Sequence, residues 1–230
     1  MKHIITSGII LSRTDYGEAD RIITVLTPEQ GKLRLIARGV RKIKSRAAGG
    51  VELFSVSELT YMQGRGALGT LVSAHLKDHY GDIVQNIERV QLGYNLIKML
   101  NKATEDELEI EYFLLLEQGF KALNTRAIPL KLVRLWFEAQ LLRLSGHGPN
   151  LHTDVTGERL KVQAKYEFDF DAVSFRKNTQ GRFMSEHIKV LRLLFSGTDI
   201  QVMNRIEDFE RLLEFAEPIV SVLFSTYTRV

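Results

Sequence analysis

Cysteine is absent from this chain of 230 residues, and that gap closes several routes at once. Disulfides, thiolate zinc sites, iron–sulfur clusters and cysteine nucleophiles all need a thiol. The lack also fits a reducing compartment. Long apolar runs are missing too: no window approaches the roughly 20 residues of a spanning helix, so no membrane partner is expected. The N-terminal stretch has a short apolar segment without a small-residue cleavage site, and charge returns at Arg13, which suits a strand better than a signal peptide. A nucleophile elbow, a P-loop and an HExxH helix are all lacking, so no catalytic residue is expected. Acid is missing from one region in particular: nothing between Glu29 and Glu52 carries a negative charge.

That acid-free stretch is where the positive charge gathers. In GKLRLIARGVRKIKSR, residues 31–46, Lys32, Arg34 and Arg38 alternate with Leu33, Leu35 and Ala37. An extended backbone puts the cations on one face and the apolar groups on the other. Arg41, Lys42, Lys44 and Arg46 come next, in a loop. The net charge is only +3, yet residues 1–80 hold twelve Lys and Arg against seven Asp and Glu. Local field attracts a polyanion more than net charge does. These seven cations, with Tyr61 as a stacking surface, are the expected nucleic-acid site, and each neutralised phosphate adds salt-sensitive affinity. A solvated, aggregation-blocking edge is the competing explanation.

The first 80 residues carry five strand signals, at Ile4–Leu11, Arg21–Thr27, Lys32–Arg38, Phe54–Met62 and Leu68–Leu76, separated by turn residues. Five short strands without a long helix suggest a small closed barrel, with an OB fold leading and an SH3-like barrel as the alternative. Gly64-Arg65-Gly66-Ala67-Leu68-Gly69 matches GxGxxG, but the next segment, Thr70–Leu76, reads as a strand, so a hairpin turn explains the glycines better than a dinucleotide site. From residue 80 the period changes to three and four, giving helices over 83–100, 108–123 and Leu130–Leu144. Residues 146–184 are polar and irregular, with short strands at Tyr166–Phe170 and Val173–Phe175. Ser185 is the expected N-cap of a short helix, and a last helix starts near Arg205 or Asp208. The expectation is an α+β chain: a five-stranded OB barrel over 1–79, then an all-helical domain over 80–230 with an irregular insertion at 146–184.

Other polar groups have ordinary explanations. His147, His152, Asp154 and Glu158 match no zinc spacing and read as loop polarity. The carboxylates Asp15, Glu18 and Asp20 fall in a turn, and Glu105, Asp106, Glu107 and Glu109 at a helix N-terminus, where acids complement the dipole. No metal and no cofactor are expected. Lys131, Arg134 and Arg143 lie near Trp136 and Phe137, a combination suited to an acidic, apolar peptide, although helix packing accounts for the same residues.

Several of these runs are shared with a known family. Gly8-Ile9-Ile10-Leu11, Tyr16-Gly17-Glu18-Ala19-Asp20-Arg21-Ile22, Gly31-Lys32, Ala37-Arg38-Gly39-Val40-Arg41 and Lys44-Ser45-Arg46 resemble the start of the RecO family. Leu144-Ser145-Gly146-His147-Gly148-Pro149-Asn150-Leu151 resembles that family's helix end and turn. The resemblance implies an OB barrel and a helical domain. It also implies a DNA repair and recombination mediator that binds single- and double-stranded DNA and anneals complementary strands. The implied partners are RecR, the acidic C-terminal tail of SSB, and indirectly RecA, which is loaded onto SSB-coated DNA. On this reading Lys131, Arg134 and Arg143 are the candidate tail site, and the setting is cytoplasmic and nucleoid-associated. An adaptor that binds RNA or protein without annealing is the alternative. Many members carry a four-cysteine zinc site after the Pro-x-Leu turn; here Asp154 and Gly157 stand where the first cysteine pair falls. The resemblance therefore implies a lost zinc site and a hairpin held by Tyr166, Phe168, Phe170 and Phe175.

Overall fold

Strands with one apolar row each can hide those rows only by stacking or closing, and here five of them close. The computed structural model describes residues 2–64, 66–104 and 109–228, in two units, Met1–Thr125 and Arg126–Val230. In the first unit β1 (His3–Tyr16), β2 (Asp20–Thr27), β3 (Gly31–Ala37), β4 (Ser55–Met62) and β5 (Leu68–His79) form a barrel in the order β1-β2-β3-β5-β4. β1 runs past the expected Leu11 because it serves two neighbours. Its first half pairs with β4 and its second half with β2, and a register shift between Ile10 and Ser12 re-aims it between them. β3 and β5 seal the barrel with a short parallel pairing, Arg34 to Leu68 through Ile36 to Thr70. This is the OB arrangement.

The barrel core holds Ile10, Ile23, Val25, Leu35, Leu59 and Tyr61. Gly31, at φ +63°, makes the turn that launches β3, a conformation a β-carbon would strain. The β3–β4 loop is pinned from inside by Val40 and Val51, both buried in the core. At Gly50 a β-carbon would sit 2.6 Å from that of Ala74, so only glycine lets the loop lie this close on β5. Residues 63–67 join β4 to β5, which pair antiparallel, so the GxGxxG run spans a hairpin connection and the first two residues of β5; its Arg65 lies outside the described residues.

Helices α1 (Ile87–Ala103) and α2 (Ile110–Asn124) belong to this first unit, whereas the change of period in the sequence suggests a division at residue 79/80. Phe54 supplies the physical link: its ring meets Tyr94 and Phe120 edge-on, each at 5.4 Å. The expected helix start at Leu108 lies outside the described residues. The expected start of α1 at Ile83 is instead a 3-10 turn, Ile83–Gln85, after which Asn86 caps α1 by accepting from the Arg89 N–H.

The second unit centres on α3 (Leu130–Leu144), buried from Leu135 through Leu142. Around it lie α4 (Ser185–Phe195), the short α5 (Ile200–Met203) and α6 (Phe209–Tyr227). Two buried polar groups on α3 are satisfied. Gln140 Nε2 donates to the carbonyls of Leu194 and Ser196 at the end of α4, and Glu138 pairs with Arg134. The N-cap of α4 is Met184, not the expected Ser185, because His187 Nδ1 accepts the Met184 N–H at 3.0 Å.

The insertion is more regular than its polarity suggests. β6 (Asn150–Asp154), β7 (Tyr166–Asp169) and β8 (Ser174–Lys177) make a three-stranded sheet ordered β6-β8-β7. Its aromatic core is Tyr166, Phe168, Phe175 and Phe183. Phe170 packs edge-on against Phe168 at 5.0 Å, as expected, but from the rim, 39% exposed beyond the end of β7; Phe183 is the further core aromatic.

Candidate nucleic-acid interface

Period two decides which β3 side chains face out. Leu35 and Ala37 are buried in the barrel, while Arg34 and Arg38 on the alternate row are exposed. The loop continues this surface with Arg41, Lys42, Lys44 and Arg46, all exposed. Turn hydrogen bonds from Lys42 N–H to Gly39 and from Ser45 N–H to Lys42 shape it. Gly39 N–H donates to Asp20 Oδ1 at 2.7 Å and Arg41 N–H to the Ala19 carbonyl at 3.0 Å, which ties the loop to the β1–β2 turn. Strands β2 and β3 with the flanking loops are the surface OB barrels use for oligonucleotides.

The predicted cations are not equivalent. Arg34, Arg38, Lys42, Lys44 and Arg46 make no ion pair among the described residues. Arg41 shares Asp15 with Arg21: its Nη2 is 3.5 Å from the carboxylate, and Arg21 Nε donates to it at 2.9 Å. The Arg21 hydrogen bond, helped by the charges of Arg41 and Arg13, holds the Asp15 carboxyl below its ordinary range. Lys32 is turned elsewhere. Its Nζ donates to the carbonyls of Asn101 and Thr104 at 3.4 and 3.0 Å, where the exposed C-terminus of α1 attracts a cation.

Tyr61 corrects an expectation. It is fully buried in the barrel, with its hydroxyl donating to Gln30 Oε1 at 2.7 Å, so its ring has no face for a base. Burial pushes the phenol up from its ordinary value. The aromatic that the sequence pattern did not single out is Tyr16, 55% exposed at the end of β1 and beside Gly17, whose carbonyl accepts from Arg41. An aromatic next to a tight turn was the available signal. Ile43 stands fully exposed among the loop cations, although an aliphatic side chain gains nothing there from the fold itself.

The helical cations are differently placed. Lys131 and Arg134 both pair with Glu217 on α6, and Arg134 also with Glu138, so these two positive charges are already neutralised. Arg143, at the far end of α3, is exposed and donates to Gln140 Oε1. The three do not converge.

The implied zinc module does not fit the residues present. Asp154 Oδ1 accepts from the Thr156 N–H, the Thr156 hydroxyl and the Glu158 N–H, closing a turn and lowering its carboxyl's pKa. His147 stacks on Tyr227 and His152 is exposed. Among the described residues no three His, Asp or Glu side chains converge to hold a metal. Glu105, Asp106 and Glu107 lie outside the described residues.

A five-stranded OB barrel with a cationic third strand and loop, in a mixed α+β chain, is the class these observations define. The family model described as "Recombination protein O N terminal" matches residues 1–80. Among relatives named "DNA repair protein RecO", that of Trichodesmium erythraeum is 34% identical over 230 residues, covering 92% of this chain and 78% of the relative. That of Roseiflexus sp. is 35% identical over 148 residues, 64% of this chain and 51% of the relative. That of Halalkalibacterium halodurans is 33% identical over 145 residues, 63% and 56% respectively. In these last two the match spans about half the relative's length. The chain belongs to the RecO family.

Proposed function

We propose that this chain acts in DNA repair and recombination as a non-enzymatic mediator that binds single- and double-stranded DNA on its β3 surface. The observation that carries the reading is the row of five exposed cations without ion pairs among the described residues, Arg34 on β3 and Arg38, Lys42, Lys44 and Arg46 on the following loop, which is anchored from inside the barrel. Phosphates meeting that row release counterions. Tyr16 and Ile43 offer apolar surface to unstacked bases. Charge neutralisation also lowers the repulsion between two strands, which favours annealing. Cooperation with RecR, capture of the SSB tail, assistance to RecA and a cytoplasmic, nucleoid-associated setting rest on family membership. For the tail, Arg143 is the uncompensated cation, whereas Lys131 and Arg134 must first be won from Glu217.

Oligonucleotide binding over a salt series tests this. Replacing Arg34, Arg38, Lys42 and Lys44 by Gln is expected to reduce the single-strand salt slope by about 0.7 for each phosphate no longer neutralised. An unchanged slope and affinity would sink the reading. Annealing of complementary strands, with and without SSB, separates a mediator from an adaptor.

A further inference from the structure

The insertion sheet gathers a second set of cations. Lys161 and Lys165 precede β7 and Lys177 ends β8, and the strand register sets Tyr166 opposite Lys177. One further rung, from Asn178 N–H to the Lys165 carbonyl at 3.0 Å, brings Lys165 to the same end of the hairpin. Lys161, Lys165 and Lys177 line an open cleft of about 600 Å³, together with Gln163, Thr179 and the 71% exposed Val162. Lys161 stands 3.7 Å from Glu158, while Lys165 and Lys177 make no ion pair among the described residues. Asp154, which feels Lys177, is already occupied by the Thr156 and Glu158 donors.

Lys165 and Lys177 stand opposite Asn178 and Tyr166 and make no ion pair among the described residues, so no salt bridge of the sheet depends on them. The backbone nevertheless holds the cluster in place. Lys161 N–H donates to the Tyr166 hydroxyl at 2.7 Å, and Ala164 N–H to the Lys161 carbonyl at 3.3 Å. Gly181 lies so close to the Tyr166 backbone that a β-carbon there would come within 2.3 Å of its carbonyl oxygen. Three ammonium groups, a neutral amide and hydroxyl, and one apolar side chain match a phosphodiester with its sugar or base. The openness of the cleft suits a chain passing through rather than an enclosed small anion.

We propose that this lysine-lined cleft is a second phosphodiester site, taking one nucleic-acid strand independently of the β3 surface. The inference rests on the DNA-binding role proposed for the barrel and adds a site in the other unit. A protein with two strand sites can hold both partners of an annealing reaction.

The test compares the full chain with a cleft variant (Lys161→Gln, Lys165→Gln, Lys177→Gln) and the barrel variant with Gln at 34, 38, 42 and 44, all titrated with short oligothymidylate at low salt. Two strands per chain are expected for the native protein and one for each variant. Combining the variants is expected to weaken residual binding by on the order of tenfold or more. Native stoichiometry and annealing rate in the cleft variant would overturn the proposal. A barrel variant that keeps both sites would instead overturn the β3 reading, so the two failures are distinct. Loss of poly-glutamate binding with oligonucleotide binding intact would assign the cleft to an acidic protein and likewise overturn it. Acetylation footprinting of Lys165 and Lys177 in the native chain needs no substitution: oligothymidylate is expected to protect both, inorganic phosphate at the same phosphate concentration is not, and equal reactivity with and without oligonucleotide counts against the site.

Discussion

Tyr61 and Tyr16 divide between them the two uses a tyrosine has in a barrel. Tyr61→Phe keeps the buried ring and loses the bond to Gln30, so chemical denaturation should show a loss of about 1 kcal/mol with oligonucleotide affinity unchanged. Tyr16→Ala should do the opposite, leaving the denaturation midpoint nearly still and weakening single-strand binding about tenfold, as loss of one stacked base implies. Fluorescence titration reads the second effect; equal losses in both variants would contradict the assignment. The sorting of Arg34 from Leu35 was legible, because alternation fixes the face of every strand residue. Tyr61 was legible by the same rule, since it shares a parity with buried Leu59, and parity rather than ring chemistry decides its face. The Lys32 contact with Asn101 and Thr104 was not legible. It joins groups about seventy residues apart, and no local pattern encodes that.

At the scale of elements, α3 and α6 are joined by the Lys131, Arg134, Glu138 and Glu217 network. Hydrogen bonds from Lys131 and Arg134 hold the Glu217 carboxyl below its ordinary 4.5. Its folded pKa is thus depressed: the stabilisation is present above 4.5 and is lost as pH falls through the lower folded value. Glu138 runs the other way, with burial raising it against the pull of Arg134, so its ionisation opposes folding above 4.5. Glu217 is 35% exposed, and solvent screening limits Glu217→Gln to a loss of about 1 kcal/mol at neutral pH. That loss should shrink toward zero in denaturation curves once pH falls below the depressed folded value.

The entry to α4 has a pH signature of its own. Burial lowers the His187 pKa below 6.5, with Arg211 helping and Glu186 opposing; the ring stacks on Phe215, and its Nδ1 must stay unprotonated to accept the Met184 N–H. A depressed histidine stabilises the fold fully above its unfolded value, and that contribution declines as pH falls below 6.5. Thermal midpoints should drop between pH 7.5 and 5.5 in the native chain, and less steeply in His187→Asn, whose amide oxygen can still accept. Helix α3 was readable to the residue, whereas α1 begins four residues after the expected Ile83 because a 3-10 turn precedes it. β6 was not readable, because Asn150-Leu151-His152-Thr153-Asp154 has one apolar side chain in five and becomes a strand only by pairing with β8.

At the scale of the whole molecule, a modest net charge of +3 conceals two separate cationic surfaces, one in each unit. Composition showed the first, because acids are missing around it. It hid the second, because Glu158, Glu167, Asp169 and Asp171 are interspersed in sequence with the lysines that the hairpin brings together. The insertion is expected to melt at the same temperature with and without EDTA, since its aromatic core and the Asp154 turn supply the closure; a chelator-dependent midpoint would refute that account. The turn has a further consequence under oxidising conditions. Peroxide oxidises thiolates and ejects the metals they hold, and a turn closed by a carboxylate offers it no such target. The sulfur atoms that remain are those of the five methionines. Of those described, Met184 at the N-cap of α4 is the most exposed, at 42%, so peroxide is expected to form sulfoxide there first, a change reductases can reverse.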